Sequence, residues 1–281
     1  MKYHLVALTH LVSLGVAAQS QIQKSMLDTF VKYASIDSQS DYDSICTQGQ
    51  HNMPLALKAD VEEAVVKSKA SGVKVKLSDA NYLYVTIPAN VRTACSTMGI
   101  SCHLDVTPEA PGGNIVPIVD TRDGLTIVRT DGTTLLGADD KCGCTIAMQL
   151  IRTILSDKSI KHGTLQFAFC PNEDVGRKFP NVKVDVVYDE IQYENVAYTL
   201  HPQAQRLVET AAAKIGKDIT FAGERGGTTA SMFAAKGLNG GMCVFTSQHD
   251  IHSTREYADL QEMEEAYRLM LEIIKQVITL K

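Results

Sequence analysis

Short apolar runs in this chain repeatedly end in acids or histidines. Residues 99–104 carry His103 and run straight into Asp105. Leu135-Leu136 leads through Gly137-Ala138 to Asp139 and Asp140, residues 166–170 are followed by Glu173 and Asp174, and residues 241–245 are followed by His249 and His252. Further strand-like runs lie at 73–77, 83–87, 125–129 and 195–200, with turn signals at Gly112-Gly113 and Asp131-Gly132. Between them the apolar spacing turns helical. Met26, Leu27, Phe30, Val31 and Ala34 share one face, residues 57–70 and 142–155 continue the period, and the polar stretch 37–50 reads as a loop. A closing stripe of Leu260, Met263, Tyr267, Met270, Ile274, Val277 and Ile278 marks an amphipathic helix. Strands alternating with helices predict an α/β layered fold with a largely parallel mixed sheet. In such sheets ligands bind beyond the carboxyl ends of the strands, where this chain repeatedly places groups able to bind metal.

Composition narrows the functional classes. The 281 residues are 44% apolar, with 27 Lys+Arg against 32 Asp+Glu for a net charge of −5, no tryptophan and no basic block. That gives no electrostatic footprint for nucleic acid. The length fits one large domain or two smaller ones, either able to bury a sizeable core. Seven cysteines, Cys46, Cys95, Cys102, Cys142, Cys144, Cys170 and Cys243, are odd in number and scattered. They read as reduced thiols, buried where they sit in apolar runs such as 167–170 and 242–245. One residue separates Cys142 from Cys144, too few for a zinc ribbon. At the N-terminus Lys2 precedes an apolar run over 5–18 closed by Ala17, Ala18 and Ser20, the layout of a secretory signal peptide within residues 1–20. The alternative is a cytoplasmic chain whose start lies further in, near Met26. No apolar run is long enough for a permanent membrane span.

Three constellations carry chemistry. His103 and Asp105 are two residues apart at a strand end and face the same way, so Asp105 is placed to fix one imidazole nitrogen while the other meets a metal. A surface pair is the bland alternative. Asp139 and Asp140 precede a helix; helix capping accounts for one of them, and a two-oxygen carboxylate is a natural bridge between paired cations. Glu173 and Asp174 would repel each other without a cation, which suggests divided labour, one binding metal and one moving protons, against the alternative of a solvated acidic turn.

Taken together, Ser35-Ile36-Asp37-Ser38-Gln39-Ser40, Ile87-Pro88-Ala89-Asn90-Val91, His103-Leu104-Asp105-Val106-Thr107, Thr130-Asp131-Gly132 through Lys141, Ala168 through Gly176, and Arg225-Gly226-Gly227-Thr228 resemble the peptidase T (tripeptide aminopeptidase) branch of the M20 metallopeptidase family. The motifs keep the family's order and extend from Met26 towards the end of the chain. The resemblance implies a three-layer α/β/α zinc-exopeptidase-like sandwich over residues 22–281. It implies two zinc ions, with His103 on one, Asp139 bridging, Asp174 on the other and His252 as the C-terminal histidine ligand. Glu173 would be the general base, Asp105 would orient His103, and Arg225 would meet a substrate carboxylate or pair with a surface acid. The partner would be a short peptide, with no nucleic acid and no membrane.

The chain departs from the family pattern at several points. Asp174 stands where the family has Glu, Thr229 follows Thr228 where the family has Asp, and His201 occupies the position of an aspartate ligand. Either His201 is a fifth metal ligand, or His201-Pro202 opens the next segment, leaving one zinc in place of two. The family's lid and dimerisation domain, which would fall near 200–201, is missing, so lid-mediated dimerisation is not expected. The leading expectation is a lid-less zinc aminopeptidase. The alternatives are an inactive relative that binds a peptide or partner, and a truncated gene product.

Overall fold

The structure, a computed structural model, describes residues 20–43, 47–92, 95–175, 202–221 and 243–279. Helix α1 (Gln21–Ala34) starts at a reciprocal cap, in which the Ser20 hydroxyl accepts from Gln23 N at 3.0 Å and the Gln23 side chain accepts from Ser20 N at 3.2 Å. It buries Met26, Phe30, Tyr33 and Ala34 on the face that the spacing predicts. Helix α2 (Gln48–Ser68) begins well before the expected 57, inside the stretch read as a loop. The reason is a second reciprocal cap, Thr47 with Gln50, which starts a helix whose first turns are too polar to show a period.

Strands β1 (Lys74–Leu77), β2 (Leu83–Ile87), β3 (Met98–His103) and β6 (Leu165–Cys170) form one sheet in the order β1-β2-β6-β3. Their positions agree with the sequence reading to within a residue at most ends. The class is α/β, and among the described residues the parallel pairing is one strand pair, β3 with β6, beside an isolated Gln39–Val106 bridge; β1 and β2 join antiparallel. That pair matters most, because its register sets His103 opposite Cys170 and so brings two ligand-bearing strand ends to one edge. Helix α3 (Ala138–Ser156) packs against β3 and against α1 and α2. Leu83, Val85, Leu150, Ile151, Phe167 and Phe169 are buried in the core between them. Each such side chain, fully buried, contributes on the order of 1.5–3 kcal/mol.

Among the described residues a second sheet has four strands, all antiparallel, in the order β4-β5-β8-β7: β4 (Ile118–Arg122), β5 (Leu125–Arg129), β7 (Gln248–His249) and β8 (Tyr257–Asp259). Only β5 was legible. β4 is an edge strand with no buried face, so it shows no alternation, and β7 and β8 are too short to show one. The strand expected at 241–245 is corrected: its described part, 243–245, is irregular, and pairing begins at Gln248. Helix α4 (Pro202–Lys214) sets Val208, Ala211 and Ala212 against Leu269, Ile273 and Val277 of α5 (Leu260–Val277), which Asp259 caps. Leu260, Met263, Tyr267, Ile274 and Val277 are buried as the stripe requires, and Met270 and Ile278 are half-buried. The six described cysteines are free; Cys102, Cys142, Cys144 and Cys170 are buried, but Cys243 is exposed, against expectation, because its segment is not a strand. Among the described residues no helix is long and apolar enough to cross a membrane. The apolar leader, the run at 195–200, the junction near 200–201, His201 and Arg225 lie outside the described residues.

Candidate metal centre

Residues from four places in the chain meet at the shared edge of β3 and β6. His103 ends β3, and its Nε2 lies 3.0 Å from Asp139 Oδ1. His252 Nε2 is 3.5 Å from Asp139 Oδ2 and 3.4 Å from Asp174 Oδ1, so Asp139 stands between the two imidazoles. Ligand atoms of His103, Glu173 and Asp174 form one group within 4.8 Å of one another, and those of Asp139, Asp174 and His252 form a second. The structure thus gathers five of the residues singled out in the sequence. His249 does not join them: its Nε2 is 2.6 Å from Glu262, and its ring stacks on Tyr257 with centroids 4.5 Å apart.

The adjacent aspartates have separate tasks. Asp140 is the cap, its Oδ1 accepting from Gly143 N and its Oδ2 from His103 N, both at 3.1 Å. That leaves Asp139 free to face the imidazoles. The turn demands glycine: Gly137 has φ 77° and a Cβ there would lie 2.7 Å from Val106, while a Cβ at Gly143 would lie 2.2 Å from Asp140. Burial pushes the Asp140 carboxyl up to about 7, with Asp139 beside it adding repulsion. Burial also acts to raise Asp139, but the two imidazoles outweigh it and hold that carboxyl well below the usual range.

Asp105 sits against His103 Nδ1, where its spacing puts it, and has a further role in the turn after β6. The His103 Nδ1 bond goes to the Asp105 backbone oxygen at 3.1 Å, and the nearer carboxylate oxygen is 3.5 Å away. The fully buried carboxylate also accepts from Glu173 N at 2.9 Å and Asp174 N at 3.0 Å, pinning the acidic turn that follows β6. Asn172 at the head of that turn has left-handed backbone, φ 60°, and accepts from Gln50 Nε2 at 2.6 Å. Ser247, Asp250 and His252 are left-handed too, so both ligand-bearing turns hold backbone shapes that L-residues adopt at a cost of about 1 kcal/mol or more each.

Glu256 escaped the sequence reading. It is 3% exposed, and its carboxylate accepts from Leu136 N (2.9 Å), Gly137 N (2.6 Å) and Asp139 N (3.1 Å). Its position four residues after His252 was the only signal, and spacing alone does not reveal a backbone clamp. Glu109, also missed, holds His252 Nδ1 at 3.0 Å.

The donor set fits a divalent cation. It offers neutral-capable imidazoles with carboxylates, the usual zinc chemistry. Among the described residues Asp174 Oδ2 is buried without a hydrogen-bond partner, an arrangement that costs free energy unless a cation meets it. Burial raises the Asp174 carboxyl despite the histidines nearby, and the Asp139 and Asp174 carboxylates push the His252 imidazole up to about 11. Buried Lys141, whose Nζ donates to Ile36 O, lies among Asp37, Asp105 and Glu256, and desolvation brings it down to about 8.

With this geometry in view, the fold is one that solved aminopeptidase structures share. The fold aligns with the aminopeptidase PepT of Bacillus cereus ATCC 10987 at TM-score 0.69 and 16% identity, covering 91% of this chain and 98% of that one. It also aligns with a tripeptidase of Staphylococcus aureus Mu50 at 0.65 and 16% (92% and 99%), and with the LapA aminopeptidase of Legionella pneumophila at 0.64 and 14% (100% and 79%). The sequence is similar to curated proteins named peptidase T. It is 34% identical over 187 residues to the peptidase T of Geobacillus thermodenitrificans (56% of this chain, 44% of the relative) and 32% identical over 217 residues to that of Geobacillus sp. WCH70 (62% and 51%). The chain spans about half the length of the curated relatives it matches. No protein-family model matches.

Proposed function

We propose that this chain carries a zinc-dependent aminopeptidase site that hydrolyses short, tripeptide-like substrates. The observation that supports it most directly is the convergence of His103, Asp139, Asp174 and His252, with a buried Asp174 oxygen that has no hydrogen-bond partner among the described residues. His103 and Asp139 would hold one ion and Asp174 and His252 the other, with Asp139 shared. Zinc there would polarise the scissile carbonyl and acidify water, as paired cations do. Glu173, beside His103 and Asp174, takes the proton from the attacking water and passes it to the departing amine. Asp105 holds the Glu173 and Asp174 amides, so the base and the ligand keep a fixed offset. Glu109 fixes the His252 ring through Nδ1 and leaves Nε2 facing the carboxylates. His201 and Arg225 enter as a further ligand and a substrate-carboxylate contact.

The test is hydrolysis of a free-amine tripeptide by the purified chain. Cleavage from the N-terminus, lost on chelation and restored by zinc, supports the reading. A chain that takes up zinc but cleaves no tripeptide would be the binding relative instead.

A further inference from the structure

Gln248 is a half-buried side chain that the proposed chemistry does not use, yet it touches the centre. Its Nε2 donates to Asp139 Oδ1 at 3.1 Å, the same oxygen that lies 3.0 Å from His103 Nε2. The orientation of the amide is set from the other side, because Gln248 Oε1 accepts from the Thr246 hydroxyl, leaving only N–H groups to face the carboxylate. The backbone beneath it is fixed as well. Gln248 pairs with Ala258 in the β7–β8 ladder, and Ser247 next to it exchanges hydrogen bonds with the Asp259 backbone, its hydroxyl accepting from Asp259 N at 2.8 Å and donating to Asp259 O.

A carboxylate on one rotatable arm can turn about its last bond, exchanging its two oxygens. Here the Glu256 clamp fixes the Asp139 backbone, but nothing in that clamp fixes the plane of the side chain. A donor on Oδ1 does so, since any rotation breaks the Gln248 bond. Each carboxylate oxygen has room for two partners, so Oδ1 can keep this bond and still face His103.

We propose that Gln248 is a positioning residue for Asp139: its amide, oriented by Thr246, locks the carboxylate plane so that Oδ1 faces His103 and Oδ2 faces His252 before any cation arrives. This rests on the proposed metal site, and the experiment separates the two. Metal-free full-length protein is titrated with zinc against a chromophoric chelator and, separately, with cobalt(II), whose visible spectrum reports ligand geometry. Gln248→Met keeps the length of the side chain and removes the donor. We expect zinc affinity about 10- to 100-fold weaker, the scale for outer partners of a metal ligand. We also expect a changed cobalt spectrum and an unchanged melting temperature of the metal-free protein. Parental affinity in Gln248→Met overturns the inference. Should that variant melt early, Thr246→Val decides: it keeps the amide but frees its rotation, so several-fold weaker zinc binding supports the lock and parental binding overturns it. A parent chain that binds no zinc removes the metal-site reading itself.

Discussion

The two sheets meet at one centre and build their shares of it by different means. In the β1-β2-β6-β3 sheet, a parallel pair brings two strand ends into register, and the buried carboxylate of Asp105 at one end pins the turn after the other. The described strands of the β4-β5-β8-β7 sheet offer no parallel ends. There a short antiparallel ladder carries His252 in a turn before β8, and the buried carboxylate of Glu256 reaches across to amides at Leu136, Gly137 and Asp139. Both halves thus pin a ligand-bearing turn with a buried acid. In the first, topology already holds the turn near the site; in the second, the clamp makes the connection.

That contrast predicts unequal responses. The largest effect belongs to chemistry alone: Glu173→Gln keeps the shape and the backbone bonds to Asp105 but cannot take a proton, so tripeptide turnover should fall at least about 100-fold with zinc content retained. Steady-state kinetics beside elemental analysis checks this, and undiminished turnover would remove Glu173 as the base. Next comes Glu256→Gln. One amide oxygen cannot serve both sides of the clamp, so a buried N–H is left facing another N–H, at a cost of about 1–3 kcal/mol. Urea unfolding of the metal-free chain should show that loss, and zinc affinity should fall with it. Asp105→Asn should cost a similar amount of stability but disturb zinc binding less, because the β3–β6 register still holds its turn. Equal losses of affinity in the two variants would break the comparison.

The same contrast explains what was legible. β2, β3, β5, β6 and α3 have apolar runs or periods, and His103, Asp139, Glu173 and Asp174 sit at their ends, where a reader of strand ends looks first. The β7–β8 segment is a different case. β7 has two residues and β8 three, so neither makes a pattern, and the contacts of Glu256 and Gln248 with the Asp139 turn span 109 to 120 positions of sequence. His249 and His252 both stood out after the run at 241–245, and only the family resemblance chose His252 as the ligand. The start of α2 was hidden for a local reason: its signal is the Thr47–Gln50 cap, not a hydrophobic face.

Two smaller effects should stay within the first sheet's half. Thr47→Ala removes the α2 cap at a cost of about 1 kcal/mol, read by unfolding, with zinc affinity unchanged to the extent that Gln50 still holds Asn172. The smallest is pH-linked. Burial lowers the pKa of His162, ahead of β6, against a backbone bond to Gly163 O that acts to raise it. The unfolded chain therefore takes up this proton first as pH falls below about 6.5, so the native state loses stability from there down to the lowered folded value and holds it in full above. Urea midpoints of the metal-free chain at pH 7.5 and 5.5 should differ less in His162→Gln than in the parent; identical differences would dismiss His162 as a contributor.

The claim that the two sheets form one metal centre is tested most directly by zinc stoichiometry. Purified parent, His103→Ala and His252→Ala proteins, each shown to be folded, are loaded with zinc, freed of excess and measured by elemental analysis. The account predicts about two zinc per parent chain, as a paired site requires, and a loss of zinc in both variants, one from each sheet. No zinc in the parent, or full zinc in His252→Ala, would contradict it.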